Sequence, residues 1–211
     1  MPKSILSTLV FVGREFDTSM FDERDLRDTL GPLDGNQIKA GPLGQFSYAR
    51  GTYGFSVTPD RVDIRHSGRD ILPPPLLTAG EIVAEQLEPV RGFISAVGIN
   101  CDAVFYSQEI GKEGKVFCQD LTETDLFRRV YNDHTNVATL SVASAFPGHI
   151  IQQYNVRIEP EGSSQGRDLF VAFNGHQGVV FTDSLKEKLV AIEEVRSQVE
   201  RFHQQILASR G

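Results

Sequence analysis

Residues able to ligate a metal or move a proton are present in this chain but scattered. The five histidines stand at His66, His134, His149, His176 and His203. No two of them share the spacing of metal ligands on one helix face or strand, so no metal site is assigned. Cys101 and Cys118 are the only cysteines, and their separation fits neither a CxxC redox pair nor a zinc knuckle. They are expected as two buried thiols, with a disulfide between neighbouring strands as the alternative. Asn100 and Asp102 interrupt an otherwise apolar run, FISAVGINCDAVF. Two residues apart, they share one side of a strand, where a polar pair is either a binding site or the solvent-facing side of a half-exposed strand. The solvent-facing side is the expectation. His176 lies in NGHQG, where Asn174-Gly175 suits a tight turn, which places it at a hairpin tip.

Stronger signatures are missing. The chain has no GxxxxGK[ST] phosphate loop, no GxGxxG after a strand, no HExxH, no GxSxG elbow and no EF-hand loop. Each of these would impose a backbone or ligand geometry tied to one chemistry. No catalytic residue and no cofactor is therefore assigned, and the chain is expected to be no enzyme, although a site gathered from distant positions would escape such a scan.

The elements that would position these residues are strands and amphipathic helices. Ile5 to Val12 reads as a first strand ending at Gly13. A helix capped by Asp17, Thr18 or Ser19 and carrying Phe21, Leu26 and Leu30 stops at Gly31-Pro32. From Asp34 to Tyr48 the pattern is weak, with one short strand at Gln45 to Tyr48. Tyr53 to Thr58 and Arg61 to His66 form a hairpin about Pro59-Asp60. After the stiff Pro73-Pro74-Pro75 loop, Thr78 and Glu81 form a capping box for a helix with Ile82, Val83, Leu87 and Val90 on its apolar face. Phe93 to Tyr106 is the longest strand, and Gly98 within it marks a bulge or a close backbone approach. A Gly/Lys/Glu connection then leads to a helix capped at Thr122, with Leu126, Phe127 and Val130.

Three strands follow, Val137 to Phe146, His149 to Glu159 and Arg167 to Asn174. The second alternates cleanly, with Val156 and Ile158 on one side and Arg157 and Glu159 on the other. Tyr154 and Arg157 thus fall on opposite faces. A long helix from about Ser184 to Ala208 closes the chain, its stripe running through Leu185, Leu189, Ile192, Val195, Val199, Phe202 and Ile206. The spacing favours a face packed on a sheet over a coiled coil.

The bulk composition bounds the class. The chain has 211 residues, 40% of them hydrophobic, with 21 basic and 28 acidic side chains for a net charge of -7. That length buries a real core without staples. The acidic balance and the lack of a Lys/Arg run remove the usual electrostatic footprint of nucleic-acid binding. No apolar stretch is long enough to cross a bilayer and no signal-peptide pattern opens the chain, so a soluble, cytoplasmic protein is expected.

Together these elements give an α+β fold: an extended antiparallel sheet in a single unit, 1–211, with helices mainly on one face. Residues 1–91 read as strand, helix, two or three strands, helix and residues 92–211 as strand, helix, three strands, helix, a shared plan that admits a pseudo-twofold duplication of a strand-helix-three-strand-helix unit. The segments GTYGFSVTPDRVDI, FISAVGINCDAVF, RDLFVAF and VERFHQQI, and notably Gly98, Asn100 and His203 within them, resemble an uncharacterised, sporadically distributed bacterial protein family; the resemblance implies no activity. The expected function is a non-enzymatic protein-binding or assembly module, meeting another protein or itself. The alternative is an enzyme or small-ligand receptor with a pocket between the sheet and the C-terminal helix.

Overall fold

The computed structural model describes residues 4–33, 38–40, 43–48, 51–122, 140–144, 153–179 and 184–208. In chain order the elements are β1 (Ser4–Gly13), α1 (Glu23–Leu30), β2 (Ile38–Ala40), β3 (Leu43–Tyr48), β4 (Tyr53–Thr58), β5 (Arg61–Gly68), α2 (Pro74–Leu87), β6 (Ile94–Phe105), α3 (Ser107–Ile110), α4 (Gly114–Thr122), β7 (Leu140–Ser144), β8 (Gln153–Pro160), β9 (Leu169–Gly178) and α5 (Leu185–Ala208). The strands form one sheet in the order β2-β3-β4-β5-β1-β6-β9-β8-β7, and every neighbouring pair is antiparallel. The first strand of each half thus lies at the centre, and the remaining strands of each half run outward from it.

Alternation sorts the side chains onto two faces. On one face, Phe46, Phe55, Ile64, Leu9 and Ile99 stand in register across five strands, and all are buried. Helices cover this face. α2 buries Leu76, Ala79, Val83, Ala84 and Leu87, and a side chain at Gly80 would run into the Leu9 methyl at 2.6 Å. Leu26 and Leu30 of α1, Phe117 and Cys118 of α4, and Leu185, Leu189, Val199 and Ile206 of α5 belong to the same core. Among the described residues no helix lies on the opposite face.

Gly98 is a site of close approach rather than a bulge. A Cβ there would stand 2.6 Å from the Gly175 carbonyl oxygen of β9, and the register shift of β6 lies in its pairing with β1, between Val12 and Gly13. Replacing Gly98 with valine is expected to cost about 2 kcal/mol or more by forcing β6 and β9 apart, read as a lowered urea midpoint.

Several expectations are corrected. Asp17 caps only the 3₁₀ turn Thr18–Met20, and α1 starts after Asp22, whose carboxylate accepts the Arg24 N–H at 2.8 Å. α2 begins at Pro74, with prolines filling first-turn positions that need no N–H donor; Thr78 is inside the helix and caps nothing. Phe93 lies in the 3₁₀ segment Glu88–Phe93, 36% exposed, and does not join the apolar side of β6. Thr122 is the last residue of α4, and the Gly/Lys/Glu connection holds α3 and α4. Strand β2 falls in the weakly patterned stretch. The proposed helix through Leu126, Phe127 and Val130, and also His134 and His149, lie outside the described residues.

Candidate functional site

The centre of the helix-free face is built from the alternate residues of six strands, β8, β9, β6, β1, β5 and β4. Its central row runs Asn155, Asn174, Asn100, Thr8, Arg65 and Gly54, each the direct cross-strand neighbour of the next. The adjoining row places His176 beside Gly98, then Val10, Asp63 and Ser56. On the other side Arg157, Ala172, Asp102 and Leu6 follow one another. Facing side chains in such rows touch, because opposed Cβ atoms stand about 5 Å apart.

The Asn174 amide N–H donates to the Asn100 amide oxygen at 2.5 Å; with the Asn100 amide turned over, that oxygen instead accepts from the Arg61 guanidinium at 3.3 Å. Arg61 starts on β5 opposite Val12 and reaches β6 across β1. Val10, between Asp63 and Gly98 in the adjoining row, is only 5% exposed on this face. The Arg61 guanidinium is paired with Asp63 of the same strand at 2.6 Å. Asp102 is half-buried, and burial pushes its carboxyl above the usual range, with Arg157 opposing. Arg157 itself lies over the Phe170 ring at 5.5 Å.

Asn100 and Asp102 therefore share the helix-free face, as their spacing predicts. His176 does not sit at a hairpin tip. Asn174, Gly175 and His176 lie inside β9, which is paired on both sides, with β6 and with β8. The Asn-Gly pair carried a local turn signal that two flanking strands override, because each satisfies backbone groups that a turn would leave unpaired.

The covered face holds a second juxtaposition that the sequence did not reveal. Ser7 of β1 stands between Cys101 of β6 and His66 of β5, the residue types of nucleophilic catalysis. Their setting argues against that chemistry. Ser7 has no exposure and its hydroxyl oxygen accepts the Leu72 N–H at 3.1 Å. Burial pushes the Cys101 thiol up to about 12, Asp102 adding to it and the Ser7 hydrogen bond opposing, so no thiolate forms near neutrality. His66 Nδ1 has no hydrogen-bond partner, and its ring rests on Tyr53 at 4.7 Å. Burial lowers its pKa, with Asp70 opposing. Cys118 is likewise a buried thiol that forms no disulfide, raised to about 11 by burial with Glu159 adding to it.

His203 is the other buried imidazole. It packs edge-on to Phe105 at 5.1 Å, and neither ring nitrogen has a hydrogen-bond partner. A cleft of about 430 Å³ opens elsewhere, at the end of β6, between Tyr106, Ser107 and Gln108 on one side and Ser163, Ser164, Arg167 and Asp168 on the other. Two of its three serines are committed to the loop itself: Ser163 and Ser164 donate their backbone N–H groups to Glu161, and the Ser164 hydroxyl accepts the Asp168 N–H at 2.8 Å. Among the described residues no three His, Cys, Asp or Glu side chains gather as a metal site, and no helix is long and apolar enough to cross a membrane.

No protein-family signature matches the chain, and no curated protein is detectably similar to it. The site is thus read from its chemistry alone.

Proposed function

We propose that this protein is a non-enzymatic binding or assembly module that docks a protein partner on the helix-free face of its sheet, around Asn100, Asn174 and Asp102. The observation that carries this reading is the charge of that face. Arg61, Arg65 and Arg157 are matched by Asp63, Asp102 and Glu159 among the described residues, in a chain whose net charge is -7. A balanced, amide-rich surface has the composition of a polar protein interface, and it lacks the positive excess that a polyanion requires. Asp102 supports the same reading: a carboxylate retained where burial disfavours its charge is costly to folding, and such costs concentrate at functional positions.

The proposal includes descent of residues 1–91 and 92–211 from one duplicated unit, supported by the outward order of strands on either side of the β1–β6 pair, and action in the cytoplasm. A small-ligand reading is favoured by the polar cleft at Tyr106 and Arg167, and it predicts a melting temperature that rises with a metabolite.

The test is a comparison of affinity purifications from native cells. The wild type is compared with an Asn100→Lys/His176→Glu variant of the helix-free face and with Glu187→Lys, an exposed residue of α5. The same stoichiometric partner is expected with the wild type and with Glu187→Lys, and at least tenfold less of it with the face variant, since misplaced charge at an interface costs about 1.4 kcal/mol or more. Equal recovery from all three, or loss with Glu187→Lys alone, contradicts the reading.

A further inference from the structure

The two edges of the sheet are unlike. β2 is three residues long and carries Lys39, a charge of the kind that blocks edge-to-edge pairing. β7, at the other end, is Leu-Ser-Val-Ala-Ser, and residues 137–146 around it contain no charged residue, proline or glycine. β7 stands last in the strand order, and among the described residues it pairs only with β8, so no described strand lies across from its other row of backbone donors and acceptors. None of the usual protections of an open edge is present in its sequence.

A second, independent observation lies beside it. α4 packs against β7, β8 and β9, and it exposes two large apolar side chains, Val116 at 38% and Leu121 at 43%. The charges flanking them are internally compensated, Lys112 with Asp120 and Lys115 with Glu113, each at 2.8 Å. On β8, Arg157 lies 3.5 Å from Glu159. The described charges beside β7 are therefore balanced in pairs.

We infer that β7 is a homotypic seam, at which two copies of this chain pair antiparallel about a two-fold axis through Val142 and bring the α4 helices of the two copies together along it. In that register residue 142 opposes itself, 141 opposes 143 and 140 opposes 144, so an uncharged strand meets an uncharged strand. An antiparallel edge is self-complementary under a two-fold axis, which makes a second copy the occupant that requires no further feature. The pairing of the described charges lessens the repulsion that two chains of charge -7 bring to the contact. The two sheets continue into one, and both helix-free faces end up on the same side. This surface is distinct from the one proposed for the partner, and its test needs no partner.

A five-residue edge with two apolar side chains buries less than the roughly 1,200 Å² of a stable interface. Dimerisation is therefore expected to be weak, with half-association at about 10–100 μM.

Sedimentation equilibrium of the purified chain across that range should show a monomer–dimer equilibrium. Ser141→Lys/Ala143→Lys, which sets like charges against each other across the seam, should raise the dissociation constant roughly 100-fold or more. Leu121→Glu alters an exposed residue of α4 and so should leave the monomer folded; it should raise the constant about tenfold or more and keeps the inference testable if the lysine variant unfolds. A monomer at all concentrations, or a dimer unaffected by Leu121→Glu and by the lysine pair, overturns it.

Discussion

Val199→Asp is expected to unfold the protein. Val199 has no solvent exposure, and it lies in the core on α5, a helix that packs against α2, β6 and β9. An unpaired carboxylate there must be protonated or the helix must leave, either of which costs about 4 kcal/mol or more. Typical domains are stable by only about 5–15 kcal/mol, so far-ultraviolet circular dichroism should report loss of cooperative structure at or below ordinary temperature. Arg201→Asp, two residues on and exposed, should change stability by no more than about 0.5 kcal/mol. A Val199→Asp protein that stays folded but loses a binding partner would mean that this stretch of α5 is an interface and not part of the core.

The second large effect is acid destabilisation through His203. Burial alone lowers its pKa, from 6.5 to about 4, and both ring nitrogens lack partners. The folded state therefore holds a neutral imidazole over a range in which the unfolded chain is already protonated. With the folded value below the unfolded one, this histidine does not affect stability above about pH 6.5. It reduces stability progressively as the pH falls from there to about 4, where the loss levels off. The interval corresponds to about 3 kcal/mol.

His66 shifts in the same direction and Asp102 in the opposite one, so the wild-type pH profile alone cannot isolate His203. The comparison with His203→Leu does. That variant should gain about 1–2 kcal/mol at pH 7 by removing an unsatisfied polar ring, and the gap should widen by about 3 kcal/mol between pH 7 and pH 4 in urea titrations. Parallel profiles for the two proteins would mean that His203 finds a partner in solution.

What could be read from the residues, and what could not, follows from how local each signal is. The face of β8 was legible because Val156 and Ile158 alternate with Arg157 and Glu159, and burial follows that alternation. The helix-free side of β6 was legible for the same reason, through Asn100 and Asp102. The failures occurred where a local preference met a non-local constraint. Asn174-Gly175 suits a turn in isolation, yet β6 and β8 hold it straight. Thr78 and Glu81 resemble a cap, yet the helix had already begun on prolines that the chain tolerates only in its first turn. The Asn155, Asn174 and Asn100 row, and the meeting of Ser7, His66 and Cys101, depend on register between strands far apart in sequence. Register is fixed by which face each strand buries, and no single segment carries it.

The central claim, that the helix-free face receives a protein partner, is tested most directly by carbodiimide footprinting of carboxylates in the complex isolated from native cells, compared with the free chain. Asp63, Asp102 and Glu159 lie on that face, whereas Glu23, Glu85 and Glu187 lie on the helices of the other. Docking on the helix-free face predicts that labelling of the first three falls severalfold while that of the helical three is unchanged. Protection of the helical carboxylates, with the first three labelled as in the free chain, would contradict the account and move the interface to the helix layer.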